Sequence, residues 1–321
     1  MQDQTPPYQD AFAGRTILVT GGAGFIGSHV AERLTGLGAR VRVLDDLSSG
    51  HASNLDGIDA ELVSGSILDA DALAKAIDGV DGVVHLAAMV SVPQSVESPQ
   101  DCHAINVEGT VRVLEAARAA GAKRLVFASS SAVYGGEPSI PSHEDDTVDC
   151  RSPYAASKAA GEGFVAAYGQ CYELSTVNLR FFNIFGPRQD PQSPYAAAIA
   201  AFINAVQTGR KPTIFGDGMQ TRDWTPVANV VHAILLSLSH EHHFRGEVFN
   251  VATGERASLL EVLSQIGRVL SREVEYTIAA PRLGDVKESG AAIDRVQKAL
   301  GYHPLLTTEE GLRAMLVPTA D

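Results

Sequence analysis

The stretch from Thr16 to Gly38 constrains this chain more than any other. Thr16-Ile17-Leu18-Val19-Thr20 is a short apolar, β-branched run, the pattern of a strand buried on both faces. Gly21, Gly24 and Gly27 follow at three-residue intervals. Apolar residues then recur at Phe25, Ile26, Val30, Leu34 and Leu37 before Gly38 ends a helical pattern. Strand, glycine turn and helix in that order have a physical purpose. The tight turn needs positive φ, a pyrophosphate must reach backbone N–H groups, and the helix must pack closely on the strand. The stretch therefore predicts dinucleotide binding around Gly21, Gly24, Phe25, Ile26 and Gly27. A second strand, Val41 to Leu44, ends in Asp45-Asp46. A carboxylate there accepts from adenosine ribose hydroxyls and repels a 2′-phosphate, which favours NAD over NADP.

Strands and helices keep alternating after Asp46. Glu61–Val63, Val83–Ala88, Arg124–Ser129 and Ser175–Phe181 read as strands. Asp69–Ile77, Ala104–Ala120 and Pro153 to about Tyr168 read as helices. This predicts an α/β fold, a Rossmann-type doubly wound parallel sheet with right-handed crossovers. Past Phe182 the regularity breaks into a polar loop, an alanine-rich helix from Tyr195 to Val206, a short strand at Pro212–Gly216, an apolar helix at Val227–Ser239 and a strand at Val248–Val251. Ser258–Glu261 and Thr307–Glu310 have capping-box spacing. The expected division is a dinucleotide domain over 1–183 plus about 224–253, and a smaller mixed α/β substrate-binding domain over 184–223 and 254–321.

At 321 residues the chain has room for both units and one shared cleft. A net charge of −13 argues against a nucleic-acid surface, so an anionic substrate must be held by local arginines. Cys102, Cys150 and Cys171 are scattered and, like the histidines, lack metal-ligand spacing. Free thiols suit a reducing compartment. No apolar run nears membrane-spanning length, and the first ten residues lack a signal-peptide pattern. The expectation is a cytoplasmic protein with no bound metal, no membrane and no nucleic-acid partner.

The second constellation lies at the end of the fifth strand, Ser129-Ser130-Ser131-Ala132-Val133-Tyr134, followed by Ser152-Pro153-Tyr154-Ala155-Ala156-Ser157-Lys158. Pro153 fits a first helical turn capped by Ser152. Tyr154 and Lys158, four apart, then share a face. A phenol with its ordinary pKa near 10 is a poor base, but an adjacent ammonium favours the phenolate, and a cationic nicotinamide ring adds to that. A serine hydroxyl at this sheet edge bridges the tyrosine and a substrate hydroxyl.

With these residues in view the chain resembles the extended short-chain dehydrogenase/reductase superfamily, and more narrowly the nucleotide-sugar 4-epimerases. The motifs that carry the resemblance are Thr20 to Gly27, His85-Leu86-Ala87-Ala88, Asn106-Val107-x-Gly109-Thr110, the serine triplet and Tyr154-x₃-Lys158. It implies NAD-dependent C4 epimerisation of a UDP-hexose through a 4-keto intermediate, with Ser130, Tyr154 and Lys158 catalytic. It adds Ser66, Ile67, Leu86, Ala87, Ala88, Asn106, Ser129 and Phe182 to the cofactor site. It also implies substrate contacts from Ser91, Ser130, Ser131, Asn183, Ala197, Ala198, Thr213, Phe215, Arg222, Arg282, Asp285 and Ser289. Arginines suit a diphosphate because the guanidinium presents several donors in a fixed fork. Ser66 stands where the family carries an aspartate against adenine, and Ser131 and Ala132 where sugar dehydratases carry an Asp-Glu pair. The stretch from Ser91 and the run Arg188-Gln189-Asp190-Pro191 resemble the branch acting on N-acetylated sugars, and small Ser289, four past Asp285, leaves room for that group. UDP-GlcNAc and UDP-GalNAc are the implied substrates, with UDP-Glc and UDP-Gal beside them. Nucleotide-sugar 4-ketoreductases and UDP-glucuronate epimerases or decarboxylases are the alternatives on the same fold. Small residues at Gly109, Ala116, Ala159 and Gly163 lie on helices that pair in the family's homodimers.

Overall fold

The computed structural model describes residues 6–190, 198–281 and 286–317. Strand β1 (Thr16–Thr20) leads through the glycine turn into α1 (Phe25–Gly36), β2 (Arg40–Asp45), β3 (Ala60–Ser64), α2 (Ala70–Ile77) and β4 (Gly82–His85). Two short helices, α3 (Val92–Glu97) and α4 (Pro99–His103), follow, and a π-helical turn at Ala104–Glu108 joins α4 to α5 (Gly109–Ala119). Then come β5 (Arg124–Ser130), α6 (Pro153–Cys171) and β6 (Ser175–Phe181). The remainder comprises β7 (Ile184–Phe185), α7 (Ala198–Gln207), β8 (Thr213–Phe215), β9 (Thr221–Arg222), β10 (Thr225–Pro226), α8 (Val227–Ser239) and β11 (Arg245–Val251). It ends with β12 (Ala257–Ser258), α9 (Leu259–Leu270), β13 (Thr277–Ala279), α10 (Asp294–Leu300) and α11 (Thr308–Leu316).

Seven parallel strands form the central sheet in the order β3-β2-β1-β4-β5-β6-β11. The order reverses at β1, which pairs with β2 on one side and β4 on the other. At such a switch point neighbouring connections leave in opposite directions and open a crevice beyond the carboxyl ends. Alternation along β1 explains the two helical layers. Ile17 and Val19 join a core with Val30 and Leu34 of α1 and Ile234 of α8. Leu18 joins the opposite one with Leu73 of α2, Leu114 of α5 and Val165 of α6. The expected Rossmann-type sheet is therefore the observed one. A third core gathers Phe202 of α7, Trp224, Val262 and Ile266 of α9 and Leu312 of α11. Both capping boxes are present, at Ser258 with Glu261 and at Thr307 with Glu310.

The stretch after the fourth strand differs from expectation. The fourth strand stops at His85 rather than Ala88, because the chain there must pass over the glycine turn: a Cβ on Gly21 would stand 2.8 Å from the Ala87 nitrogen. Helices α3 and α4, which contain Pro93 and Pro99, were not among the expected helices. Both prolines occupy first-turn positions, where a missing N–H costs nothing.

The same close packing sets a stability test. A Cβ on Gly27 would fall 2.2 Å from the Gly21 carbonyl oxygen, whereas nothing lies within 4 Å of one on Gly36. Gly27→Ala should cost at least about 1–3 kcal/mol. Gly36→Ala should be neutral or stabilise by up to about 1 kcal/mol. Urea unfolding of the two variants checks the contrast, and equal effects would contradict it.

Candidate active site

A cleft of about 1120 Å³ opens over the carboxyl ends of β1, β2, β4 and β5. Gly21, at φ +69°, forms its floor, and Gly24, Phe25, Ile26 and Gly27 line it. Gly24 caps α1 without a side chain, which leaves the helix's first N–H groups for an anion. Asp45 is buried at the tip of β2, where Oδ2 accepts from Ala23 N at 2.9 Å and Oδ1 from Leu47 N at 2.9 Å. Burial pushes its carboxyl above the ordinary value, and the two N–H bonds pull against that. Asp45 thus fastens the glycine loop and keeps lone pairs toward the cleft. Asp46 is exposed and accepts from Ser48 N at 3.0 Å. Ser66, Ile67, Leu86, Ala87, Ala88, Ser129 and Phe182 line the same cleft. Asn106 stands behind it: its Oδ1 accepts from Met89 N at 2.7 Å, and its Nδ2 donates to Met89 O at 3.0 Å and Ser157 Oγ at 2.9 Å.

Ser130, Tyr154 and Lys158 converge where β5 ends against α6. Ser152 caps α6 by accepting from Ala155 N at 3.1 Å, and Ser95 of α3 accepts from Tyr154 N at 3.1 Å. Helix α6 therefore starts from two serine hydroxyls rather than one. Lys158 Nζ donates to the Ala128 carbonyl at 2.9 Å and lies 5.9 Å from the Tyr154 ring centre. Burial pushes the Lys158 ammonium down to about 8, so it is charged at neutral pH. Burial also raises the Tyr154 phenol, and its hydrogen bond with Ser130 acts in the opposite direction. Ser131 begins the single helical turn to Tyr134, whose hydroxyl donates to Asn250 Oδ1 at 2.6 Å.

At the far end of the cleft Asn183, Arg222 and Ser289 line the wall with Ser131. Asn183 donates to the Asp223 carbonyl at 3.1 Å. Ser289 N donates to Thr221 O at 3.0 Å, and Asp223 N to Ser289 O at 3.0 Å, so the two segments run side by side at the rim. Asp223, fully buried, receives Thr253 N at 2.9 Å, Thr253 Oγ1 at 2.7 Å and Gly254 N at 2.8 Å. Burial raises its carboxyl to about 6 against those donors.

Other expected substrate residues stand elsewhere. Ser91 is buried as the cap of α3, accepting from Gln94 N at 3.1 Å, and its neighbours Val90, Val92 and Gln94 face the cleft instead. Ala198 opens α7 against the third core. Thr213 and Phe215 belong to β8, with Thr213 hydroxyl-bonded to Thr277 at 3.1 Å, outside the cleft lining. Ala197, Arg282 and Asp285 lie outside the described residues. The cleft also takes in Asn54 and Met89, which no motif marked. Among the described residues no group of three His, Cys, Asp or Glu is placed to hold a metal, and no helix is long and apolar enough to cross a membrane.

The family model for the NAD dependent epimerase/dehydratase family matches residues 17–252, spanning the glycine loop, the serine triplet and the Tyr-Lys pair. The chain belongs to that family. A UDP-glucose 4-epimerase of Mycolicibacterium smegmatis is 40% identical over 301 residues, 92% of this chain and 95% of that one. The solved UDP-N-acetylglucosamine 4-epimerase from Methanobrevibacter ruminantium M1, in complex with UDP-N-acetylmuramic acid, superposes with a TM-score of 0.89 at 37% identity, covering 95% of this chain and 98% of that one. The UDP-glucose 4-epimerase of Thermotoga maritima with UDP-glucose gives 0.88 at 34%, covering 94% and 97%. Within the family this chain stands among the nucleotide-sugar 4-epimerases.

The epimerase family's cofactor is NAD, and the residues present fit it. The cradle at Gly21 has no room for a side chain, α1 presents uncapped N–H groups, and Asp45 sits at the end of β2. Behind the cradle runs an ordered chain of hydrogen bonds. Thr110 gives its proton to Asn106 O at 2.6 Å, so it accepts from His85 Nε2 at 3.0 Å. Thr20 accepts from Ala87 N at 3.2 Å and donates to His85 Nδ1 at 2.7 Å. His85 is the neutral Nε2–H tautomer at the centre of the chain. Complete burial pushes its imidazole down to about 3, with the Lys158 charge adding to that.

The sign of the resulting pH dependence follows. Below about 6.5 the unfolded chain protonates this histidine and the folded chain does not. Stability should therefore fall as pH drops from about 6.5 toward 3, by up to about 1.4 kcal/mol per pH unit from His85. Urea unfolding between pH 7 and pH 5 should show a shallower loss in His85→Gln than in the wild type; parallel losses would contradict the assignment.

Proposed function

We propose that this chain is a UDP-hexose 4-epimerase that interconverts UDP-GlcNAc and UDP-GalNAc and also accepts UDP-Glc and UDP-Gal. The observation that carries the proposal is that Tyr154, Ser130 and Lys158 open into the same cleft as the glycine loop, with small Ser289 on the opposite rim. Bound NAD, held at Gly21, Gly24 and Asp45, supplies the hydride acceptor and donor for C4. Tyr154 as phenolate takes the C4-hydroxyl proton, directly or through Ser130, and gives it back after the sugar has turned. Lys158 favours the phenolate by its charge. Arg222 and Asn183 hold the nucleotide diphosphate at one end and leave the hexose free to turn, so both faces of C4 reach the same groups. The segments 1–183 with about 224–253 are assigned to NAD, and 184–223 with 254–321 to the nucleotide sugar. A cytoplasmic homodimer through α5 and α6 completes the proposal, supported by Phe164 standing exposed on α6.

Substrate width is assigned to Ser289. A tyrosine there would crowd an acetamido group, and overpacking costs about 1–3 kcal/mol, roughly five- to 150-fold in binding. Purified protein incubated with UDP-sugars without added cofactor, followed by proton NMR of the anomeric signal, should show 4-epimer formation. Tyr154→Phe should keep fold and cofactor while turnover drops about 10²–10⁴-fold. Ser289→Tyr should lose the N-acetylated pair and keep UDP-Glc and UDP-Gal. Near-normal turnover in Tyr154→Phe, or release of CO₂ from a UDP-uronate in place of epimerisation, would overturn the proposal.

A further inference from the structure

Directly beneath the catalytic pair lies a buried acid that the mechanism above does not use. Tyr154, Lys158 and Glu162 follow one another at four-residue spacing along α6 and so share one face of the helix. All three engage the last residues of β5. Tyr154 is hydrogen-bonded to Ser130, and Lys158 Nζ donates to Ala128 O at 2.9 Å. Ser129 Oγ donates to Glu162 Oε1 at 2.5 Å. Arg180, the register partner of Ser129 on β6, closes the arrangement. Its Nε donates to Glu162 Oε1 at 2.8 Å and its Nη2 to Oε2 at 2.7 Å, a bidentate pair with both side chains at most 9% exposed. Arg180 is itself fixed, donating to the Glu144 carbonyl at 3.3 Å and lying 4.8 Å over the Tyr134 ring.

A buried ion pair of this kind is weak evidence of stability, because the cost of desolvating two charges offsets much of their attraction. Its placement says more. Glu162 is the attachment between the helix that carries the phenol and ammonium and the strand end that carries the serine hydroxyl. We propose that Glu162, locked to Arg180 and Ser129, is a positioning residue that sets α6 against the end of β5 and serves as the buried counter-charge of Lys158. The groups facing Lys158 are Tyr154 and Glu162 on its own helix, Cys102 on α4 and His85 on β4, with Arg180 of β6 behind Glu162. Of these Glu162 is the carboxylate, held in place by Arg180 and Ser129. After Cys102, it acts against the burial that pushes the Lys158 ammonium down.

The inference rests on the roles given above to Tyr154 and Lys158, and its test separates the two. Glu162→Gln keeps an acceptor for Ser129 and Arg180 but removes the charge and leaves Arg180 unbalanced. The variant should retain NAD and keep KM within about twofold, while the alkaline limb of its kcat–pH profile moves to lower pH by one unit or more. A structural role alone would lower the melting temperature and leave the limb in place, and that result would overturn the inference. Wild-type protein in the same assay tests the epimerase reading itself, because no epimerisation there defeats the function rather than the role of Glu162. Ser129→Ala covers the case in which Glu162→Gln does not fold. It leaves the ion pair intact and cuts its tie to β5, so kcat, measured at saturating NAD because Ser129 also lines the cofactor cleft, should fall about five- to twentyfold with the limb unmoved. A kcat within twofold of wild type in Ser129→Ala would overturn the positioning role.

Discussion

The structure depends on one close approach of backbone to backbone. Where β1 turns at Gly21, the chain leaving β4 passes directly above it, and a Cβ at Gly21 would stand 2.8 Å from Ala87 N and 3.0 Å from Ala87 Cα. This contact lies at the switch point of the sheet, between β1 and β4. It ends β4 early, sets the height of the cleft floor and brings the loop after β4 level with the end of β5. A side chain at Gly21 would separate the two strand ends and also fill the space in which a pyrophosphate meets the N–H groups of α1.

From that contact a continuous run of hydrogen bonds reaches helix α6. Ala87 N binds Thr20, Thr20 binds His85, His85 binds Thr110, and Thr110 binds the Asn106 carbonyl. The Asn106 amide then donates to Ser157 Oγ, and Ser157 donates to Tyr154 O at 2.8 Å. The dinucleotide cradle and the phenol are thus built on one buried polar framework. Such networks rigidify a site when every member is satisfied, and here each hydroxyl both gives and receives. Glu162 and Arg180 form a second framework on the other side of β5. Between them the two frameworks fix Ser130, Tyr154 and Lys158 from both flanks, while the far end of the cleft is closed by short paired segments and single side chains.

The parts legible in the sequence are those whose chemistry is local. The glycine spacing, the apolar strands, Ser152-Pro153 and the two capping boxes each announce themselves within a few residues. The Tyr154–Lys158 pair does so too, because four-residue spacing on a helix puts side chains together without help from the fold. Much of what was not legible depends on partners far along the chain. Asn106 was expected at the cofactor, yet its amide is satisfied by Met89 and Ser157, the latter 51 residues away. Ser91 was expected at the substrate, and in the structure it caps the short helix α3 by accepting from Gln94 N. Asp45 was expected to serve the ribose, and it also ties down the glycine loop through Ala23. Glu162 carries no motif of its own, and its meaning emerges only when β6 brings Arg180 beside Ser129.

The central claim is that the cleft performs a redox-neutral inversion at C4 in which hydrogen leaves and returns to the same carbon. A UDP-hexose carrying deuterium at C4, turned over to equilibrium and read by mass spectrometry and NMR, tests it most directly. The account predicts that both epimers keep the label at C4, with none entering water. Loss of deuterium to solvent, or its appearance at another carbon, would contradict it.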